Sequence, residues 1–254
     1  MDSYKIYLED QHLNPRTISN HIRNVSAYDG DLDTTETNVI KYIKTNYAEG
    51  SQQKTILGAI SKYRGYKELP VDKIHGFMHS VQKQTIGMQQ DKTKEIELPN
   101  IKDLTTKMRG YLKDGSFRDY VVMFLLINFQ TRNLDLVARV THDVEDVDKS
   151  SNWLLIREND VVYYRSNYKT ADSYGIKRHV TRSKPFHHAV SQLTHILTPT
   201  DNLYRTVMTI TGGYNETTLM KMSVVNNNSI KGLTKLSNNR GTALSTISSS
   251  YDAT

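Results

Sequence analysis

Apolar residues in the first part of the chain recur every three to four positions, the period of a helix with one buried face. Within Arg16–Val25, Ile18, Ile22 and Val25 share such a face, and Asn14-Pro15 just before them suits a cap and a first helical position. Gly30 breaks the pattern. A second helix is expected from Thr34/Thr35 with Val39, Ile40 and Ile43 inward, ended by Gly50 in the C′ role. Ser51 is expected to cap a third, with Ile56, Leu57, Ile60 and Tyr63 inward and Lys54, Lys62 and Arg64 on its polar face. Residues 86–98 are rich in glutamine and lysine with little periodicity, and read as a linker. Pro99-Asn100 opens a new helical pattern through Leu104, Met108 and Leu112. The longest apolar run, Val121–Phe129, has nine residues. A membrane span needs roughly 20, so this run predicts a buried core helix and no membrane partner.

From Trp153 the period shortens. Trp153–Arg157 and Val161–Ser166 are β-prone and flank the turn signal Glu158-Asn159-Asp160, and Lys177–Thr181 follows Tyr174-Gly175. They predict a small antiparallel sheet of three strands set between helices. A helix is expected over 185–197, then short polar helices from 216 to Tyr251, with Asn226–Asn228 as an exposed loop. The fold class is therefore mainly α with a small antiparallel β-sheet (α+β), divided as 1–85 (helical), 86–98 (linker) and 99–254.

Charge adds a partner to this picture. Against 27 acidic residues stand 33 Lys and Arg, giving +6 and a pI near 9.2, which favours a polyanion such as nucleic acid. The chain has no cysteine, which excludes a disulfide framework, thiolate catalysis and Cys-ligated metal. The N-terminal MDSYKIYLEDQ is charged and lacks the apolar stretch of a secretory signal.

The candidate chemistry begins at Gln130-Thr131-Arg132-Asn133-Leu134-Asp135-Leu136, where an arginine leaves the apolar run and a carboxylate follows three residues later. Far downstream Tyr251 closes a polar helix. A planar guanidinium holds two phosphate oxygens and does not deprotonate, and a tyrosine hydroxyl can attack phosphorus once activated. Other constellations are weaker. His187-His188, with His179 and His195, lack a completing carboxylate pattern and read as surface histidines. Asp143, Glu145, Asp146 and Asp148 read as a solvated loop, and Gly212-Gly213 as a turn without the Gly-Lys-Ser/Thr ending of a phosphate loop. No metal ligand set is expected.

This order of helical N-domain, linker, arginine, small sheet with a lysine, and late tyrosine resembles the tyrosine recombinase/integrase family over nearly the whole chain. NPRTISNHIRNVSAYDGD and the stretch from Thr34 to Tyr66 resemble the family's core-binding helices, while TRNLDL resembles its Arg-x-x-Glu-Leu segment. LSNNRGTALSTISSSYD resembles its Leu-Gly-His segment and nucleophile, with Gly241 on the glycine and a fitting interval to Tyr251. The resemblance implies an N-terminal SAM-like core-binding bundle joined to a tyrosine-recombinase catalytic domain. It implies Arg132 as phosphate clamp and Tyr251 as nucleophile. Lys169, in YYRSNYKTADSYGIKRHV, becomes the acid for the leaving 5′ oxygen, with Lys177 and Arg178 as alternatives in the same stretch. It also implies a 3′-phosphotyrosine intermediate that needs neither ATP nor metal, so no cofactor is expected. The implied partner is double-stranded DNA bound by a homo-tetramer. The implied setting is intracellular: a nucleus, a viral factory or virion, or a bacterial cytoplasm. DNA contacts are expected from Arg16, Arg23, Lys54, Lys62, Arg64, Lys177, Arg178 and Arg240.

Three positions depart from the family pattern. Its His-x-x-Arg segment, expected some thirty-odd residues before the tyrosine, aligns with Thr218-Leu219-Met220-Lys221, so Thr218 takes the histidine slot and Lys221 the arginine slot. Thr242 replaces the histidine after Gly241. Lysine keeps the charge and loses the fork. Two functions follow: a site-specific DNA strand-cleaving and rejoining enzyme, or a recombinase-like DNA-binding or virion/DNA-packaging protein without catalysis.

Overall fold

A computed structural model describes residues 1–94, 97–227 and 229–251. The chain forms two compact units, Met1–Asp91 and Lys92–Thr254.

Five helices make the first unit: α1 (Asp2–Asp10), α2 (Pro15–Ser26), α3 (Glu36–Asn46), α4 (Ser51–Tyr66) and α5 (Asp72–Lys94). Asn14 caps α2 through its side chain on Thr17 N, and Thr35 caps α3 on Asn38 N. The central element is α4. Its Ile56, Leu57 and Ile60 pack with Val39 and Ile43 of α3 and Ile74 and Val81 of α5, while its Ala59 joins Tyr4, Leu8, Ile18 and Val25. Several sequence expectations change here, and one is that Ser51 is the first residue of α4 and not its cap. Gly50 does not end α3, which stops at an extended Tyr47; with φ of +84° it is instead the residue before α4, a conformation that favours glycine. Arg64 is not on a polar face. It is 2 % exposed, and its guanidinium donates to Leu32 O (2.7 Å), Thr34 O (2.8 Å) and Pro70 O (3.0 Å). Those carbonyls lie in the loops flanking α3 and α4, so Arg64 supplies the hydrogen bonds the loop backbone needs when buried and is removed from the DNA-contact set. Residues 86–94, read as linker from their composition, continue α5; residues 95 and 96 lie outside the described residues.

The second unit opens with α6 (Ile101–Lys113), capped by Asn100, and α7 (Phe117–Phe129). On α7, Tyr120, Val121, Val122, Met123, Leu125 and Leu126 are all buried. A helix apolar on nearly every side belongs in a core, and α7 is the axis of this one. The sheet follows, in the order β1 (Ala138–Thr141), β2 (Asn152–Ile156), β3 (Val161–Arg165) and β4 (Lys177–Thr181), with a single helical turn, α8 (Ala171–Tyr174), between the last two. The α+β class holds, but the sheet has four strands and is mixed: β1 runs parallel to β2, and the other pairings are antiparallel. β1 is too short and too polar to stand out in the sequence. Its free edge is covered by 194–197 through Val140 N to Thr194 O, Ile196 N to Ala138 O and Leu197 N to Leu136 O. That pairing also explains why α9 is only Lys184–Val190 rather than the expected 185–197: tertiary hydrogen bonds to β1 outcompete the helix.

Four helices finish the chain: α10 (Leu203–Thr211), α11 (Glu216–Asn226), α12 (Ile230–Arg240) and α13 (Leu244–Tyr251). The expected polar tail is in fact packed, since Leu219 to Val224 are all buried. Asn226 and Asn227 are exposed, and residue 228 of the expected asparagine loop lies outside the described residues. Among the described residues no helix is long and apolar enough to cross a membrane.

Removing the Arg64 fork takes its donors from the half-buried Leu32 and Thr34 carbonyls and from Pro70 O, and a bond from a charged donor is worth about 1.5–3 kcal/mol. Arg64→Ala is expected to lower the stability of the first unit by about 3 kcal/mol. Amide hydrogen exchange across α2–α4 of the full chain, read in the local-opening regime, should then speed up about a hundredfold.

Candidate functional site

The site begins where α7 ends. Gln130 adopts a left-handed conformation (φ +49°) that costs a non-glycine residue about 1 kcal/mol. Contacts compel it: Gln130 O accepts from Arg240 Nη1 (3.2 Å), its Oε1 accepts from Asn239 Nδ2 (2.9 Å), and its Nε2 donates to Ile127 O (2.6 Å). The turn throws Arg132 off the helix rather than leaving it on one. Asp135 closes the next turn by accepting from Arg132 N (2.9 Å).

Asp135 is fully buried, and so is its partner Arg165 on β3; Arg165 Nη2 donates to Asp135 Oδ2. Arg165 also donates to Asn239 O, and its guanidinium lies 4.9 Å from the Tyr168 ring centre. Tyr163 Oη and Asn152 Nδ2 both donate to Asp135 O. Arg132 Nη1 donates to Arg240 O (2.9 Å). Arg240 itself is 3 % exposed: Nη2 donates to Glu216 Oε1 (2.9 Å) and to Tyr251 Oη (3.3 Å), and the guanidinium lies 5.3 Å from the Tyr251 ring centre. The other oxygen of Glu216 accepts from Asn133 N. These contacts form a closed ring: Arg132 to Arg240 to Glu216 to Asn133.

Three arginines (Arg132, Arg165, Arg240) face two carboxylates (Asp135, Glu216), leaving one positive charge in excess among the five. Burial, then the guanidinium of Arg240, holds Arg132 below the usual arginine value, with Asp135 pulling the other way. An excess positive charge in a half-buried setting favours a nearby anion. Buried polar atoms without a hydrogen-bond partner among the described residues also gather here: Thr131 Oγ1, Asn133 Oδ1, Asp135 Oδ1 and Arg165 Nε.

Lys169 is exposed in the turn after β3. Its neighbours fix that turn: Thr170 Oγ1 donates to Gly241 O, and the Tyr168 ring packs on Gly241. Gly241 has φ of +62°, and a Cβ there would fall 2.7 Å from Tyr168 Cε2. Both the conformation and the closeness require glycine. Tyr251 is half-buried against Met220, Val224, Leu236 and Ile247. Lys221 is buried on α11, and burial pushes its ammonium down. Thr218 is bound to its own cap, Asn215, and Thr242 lies partly buried next to Gly241.

Arg132 and Tyr251 are thus brought together through Arg240, and the Lys169 turn is stitched to the same helix end. Of the expected DNA contacts, Arg16, Arg23, Lys54 and Arg178 are exposed, and Lys62 and Lys177 half-buried. Arg178 lies 5.5 Å from the Tyr164 ring centre and Lys177 5.3 Å from that of Tyr174. Arg240 is not a groove-lining cation but a buried group held by Glu216. Sequence reasoning gave no role to Arg165 or Glu216. The signal for Arg165 was weak: it ends the run VVYYR much as the exposed Arg157 ends WLLIR, and only the fold shows that it is buried and needs a partner. His179 is not a plain surface histidine. Its ring stacks on Phe129 (4.8 Å between ring centres), and burial followed by the charges of Arg165 and Lys177 lowers it to about 4. Among the described residues no three His, Asp or Glu side chains are placed to hold a metal ion.

No protein-family model and no curated protein matches the chain. Among solved structures, the crystal structure of XerA recombinase aligns with 98% of this chain and 92% of that chain, at 13% identity and a TM-score of 0.41.

His179 is neutral in the fold, whereas in the unfolded chain it binds a proton below about 6.5. Its contribution is therefore complete above pH 6.5, is lost as pH falls toward about 4, and levels off below that. The loss is at most about 3 kcal/mol. Urea midpoints at pH 7 and pH 4.5 should differ less in His179→Gln than in the wild type.

Proposed function

We propose that this chain is a DNA strand-cleaving and rejoining enzyme of the tyrosine-recombinase type. The observation that carries the reading is the meeting of Arg132 and Tyr251 on one residue: Arg132 donates to Arg240 O, and Arg240 donates to Tyr251 Oη. Phosphoryl transfer to tyrosine requires a cation free to hold the phosphate, here Arg132, and a tyrosine hydroxyl held close to it, here through Arg240.

In the proposed step, Arg132 holds the non-bridging oxygens of a DNA phosphodiester. Tyr251 Oη attacks phosphorus, forming the Oη–P bond and giving its proton to water or a base. The P–O5′ bond breaks, and Lys169 protonates the leaving 5′ oxygen. The products are a 3′-phosphotyrosine and a 5′-hydroxyl, and the reverse attack rejoins the strand. Lys221 is proposed to add positive charge from α11. Positive groups around the five-coordinate phosphorus stabilise the charge that develops there. The exposed cations Arg16, Arg23, Lys54 and Arg178, with the half-exposed Lys62 and Lys177, are proposed to neutralise flanking phosphates. The proposed working form is a homo-oligomer on duplex DNA.

A second reading keeps DNA binding and drops the chemistry. It is favoured by Thr218 and Thr242 in the two histidine slots and by the buried Lys221 in place of an arginine.

Both readings require duplex binding that weakens by roughly three orders of magnitude or more between about 50 and 200 mM salt, given six or more phosphate contacts. They separate on a nicked suicide duplex of randomised sequence run on a denaturing gel. The enzyme reading expects a covalent band that Tyr251→Phe abolishes with affinity intact. Lys169→Ala should slow cleavage about a hundredfold, and a bridging 5′-phosphorothioate should restore it, because a thiolate leaves without protonation. Salt-sensitive binding with no wild-type band supports the second reading.

A further inference from the structure

We infer that Arg240, held by Glu216, acts directly on Tyr251 and supplies at the nucleophile the forked positive charge that Lys221 cannot. This rests on the reading of Tyr251 as nucleophile and adds a residue that reading did not use.

Arg240 is the only group whose contact with the Tyr251 hydroxyl is fixed by a complete set of restraints among the described residues. Its Nη1 is bound to Gln130 O, and its Nη2 bridges Glu216 Oε1 and Tyr251 Oη. Its guanidinium carbon also lies 5.3 Å from the Tyr251 ring centre, so the tyrosine is approached at both the oxygen and the ring. Burial to 3 % exposure removes competing water, and a charged donor acts more strongly in such surroundings. Glu216 is a positioning residue. One oxygen holds Arg240, while the other holds the backbone of Asn133, next to Arg132. Glu216 therefore sets the distance between the phosphate clamp and the nucleophile without touching either reacting atom.

Geometry also separates Arg240 from Lys221. Lys221 lies five residues after Glu216 on α11, about 140° around the helix at 100° per residue, so the side chain that holds Arg240 and the lysine leave α11 in different directions. As the hydroxyl gives up its proton, negative charge builds on the oxygen to which Arg240 already donates. A donor aimed at developing charge is worth roughly a hundredfold in rate when removed.

The test uses the full chain with 3-fluorotyrosine placed at position 251, read by fluorine NMR without DNA and by single-turnover cleavage of the suicide duplex. In Arg240→Gln and Glu216→Gln the fluorine resonance should move from its wild-type position. Cleavage should slow about a hundredfold in Arg240→Gln and about tenfold in Glu216→Gln, with DNA affinity within about twofold. Arg240→Lys should recover part of the rate, which a purely structural role does not predict. A resonance unmoved in Arg240→Gln overturns the contact. A rate in Arg240→Lys no better than in Arg240→Gln overturns the role of charge. Should Arg240→Gln fail to fold, Glu216→Gln decides alone, since it is isosteric and keeps an acceptor for Asn133 N; an unmoved resonance there overturns the proposal. A responsive resonance with no covalent product from wild type overturns the nucleophile reading while the grip on Tyr251 stands.

Discussion

The C-terminal turn of α12 is the surface on which the site is assembled. A helix leaves its last carbonyls without partners and carries partial negative charge at that end. Here three successive carbonyls are satisfied by side chains from elsewhere: Asn239 O by Arg165, Arg240 O by Arg132, and Gly241 O by Thr170. Arg132 comes from the turn after α7, Arg165 from β3, and Thr170 from the turn that carries Lys169. One helix end thus fixes the turn after α7 and the end of β3 with the turn that follows it, all far from α12 in sequence. The left-handed Gly241 makes this possible, because it ends the helix and lets Tyr168 close over it.

Beneath that surface lies the Asp135–Arg165 pair. Both side chains are fully buried, and taking two charges out of water is costly unless further hydrogen bonds satisfy them. Two such bonds are present, from Arg132 N to Asp135 and from Arg165 to Asn239 O, while Asp135 Oδ1 and Arg165 Nε have no partner among the described residues. Removing either partner would leave a lone buried charge, at about 3–5 kcal/mol. The pair therefore reads better as a device for register than as a source of stability. It locks the turn carrying Arg132 to the strand leading to Lys169. With Asp135 spent on Arg165 and Glu216 on Arg240, Arg132 is the cation left for an outside anion.

Much of the fold was legible because its signals are local. Caps at Asn14, Thr35 and Asn100, the helical period of α2 to α4, and the β-prone runs around Glu158-Asn159-Asp160 all act over a few residues. What escaped was decided at long range. β1 is a strand only because β2 and the 194–197 segment pair with it. Residues 191–197 gave up a helical pattern for the same reason. Arg64 looks like a surface cation from its spacing, and is buried because two loops bring it carbonyls. The same limit applies at the site. Arg132, Lys169 and Tyr251 stood out through a resemblance in order and interval, whereas Glu216 and Arg165 carry no such signature. Their importance lies in a partner more than twenty residues away.

Arg240 and Lys221 show why a position in sequence is a weak guide to a position in space. Alignment by order puts Lys221 in a slot where a forked cation is expected, and finds only a buried ammonium pushed down by desolvation. The fork is present all the same, on the last residue of α12, where Glu216 and the turn after α7 can reach it. For a phosphoryl group what counts is where positive charge lies and how rigidly it is held, not which helix delivers it. An arginine reaching Tyr251 from the adjacent helix meets that condition as well as one from α11 would. Under the proposed function, a fork missing at one position is compatible with the chemistry whenever the same charge is restored within hydrogen-bond reach of the Tyr251 hydroxyl.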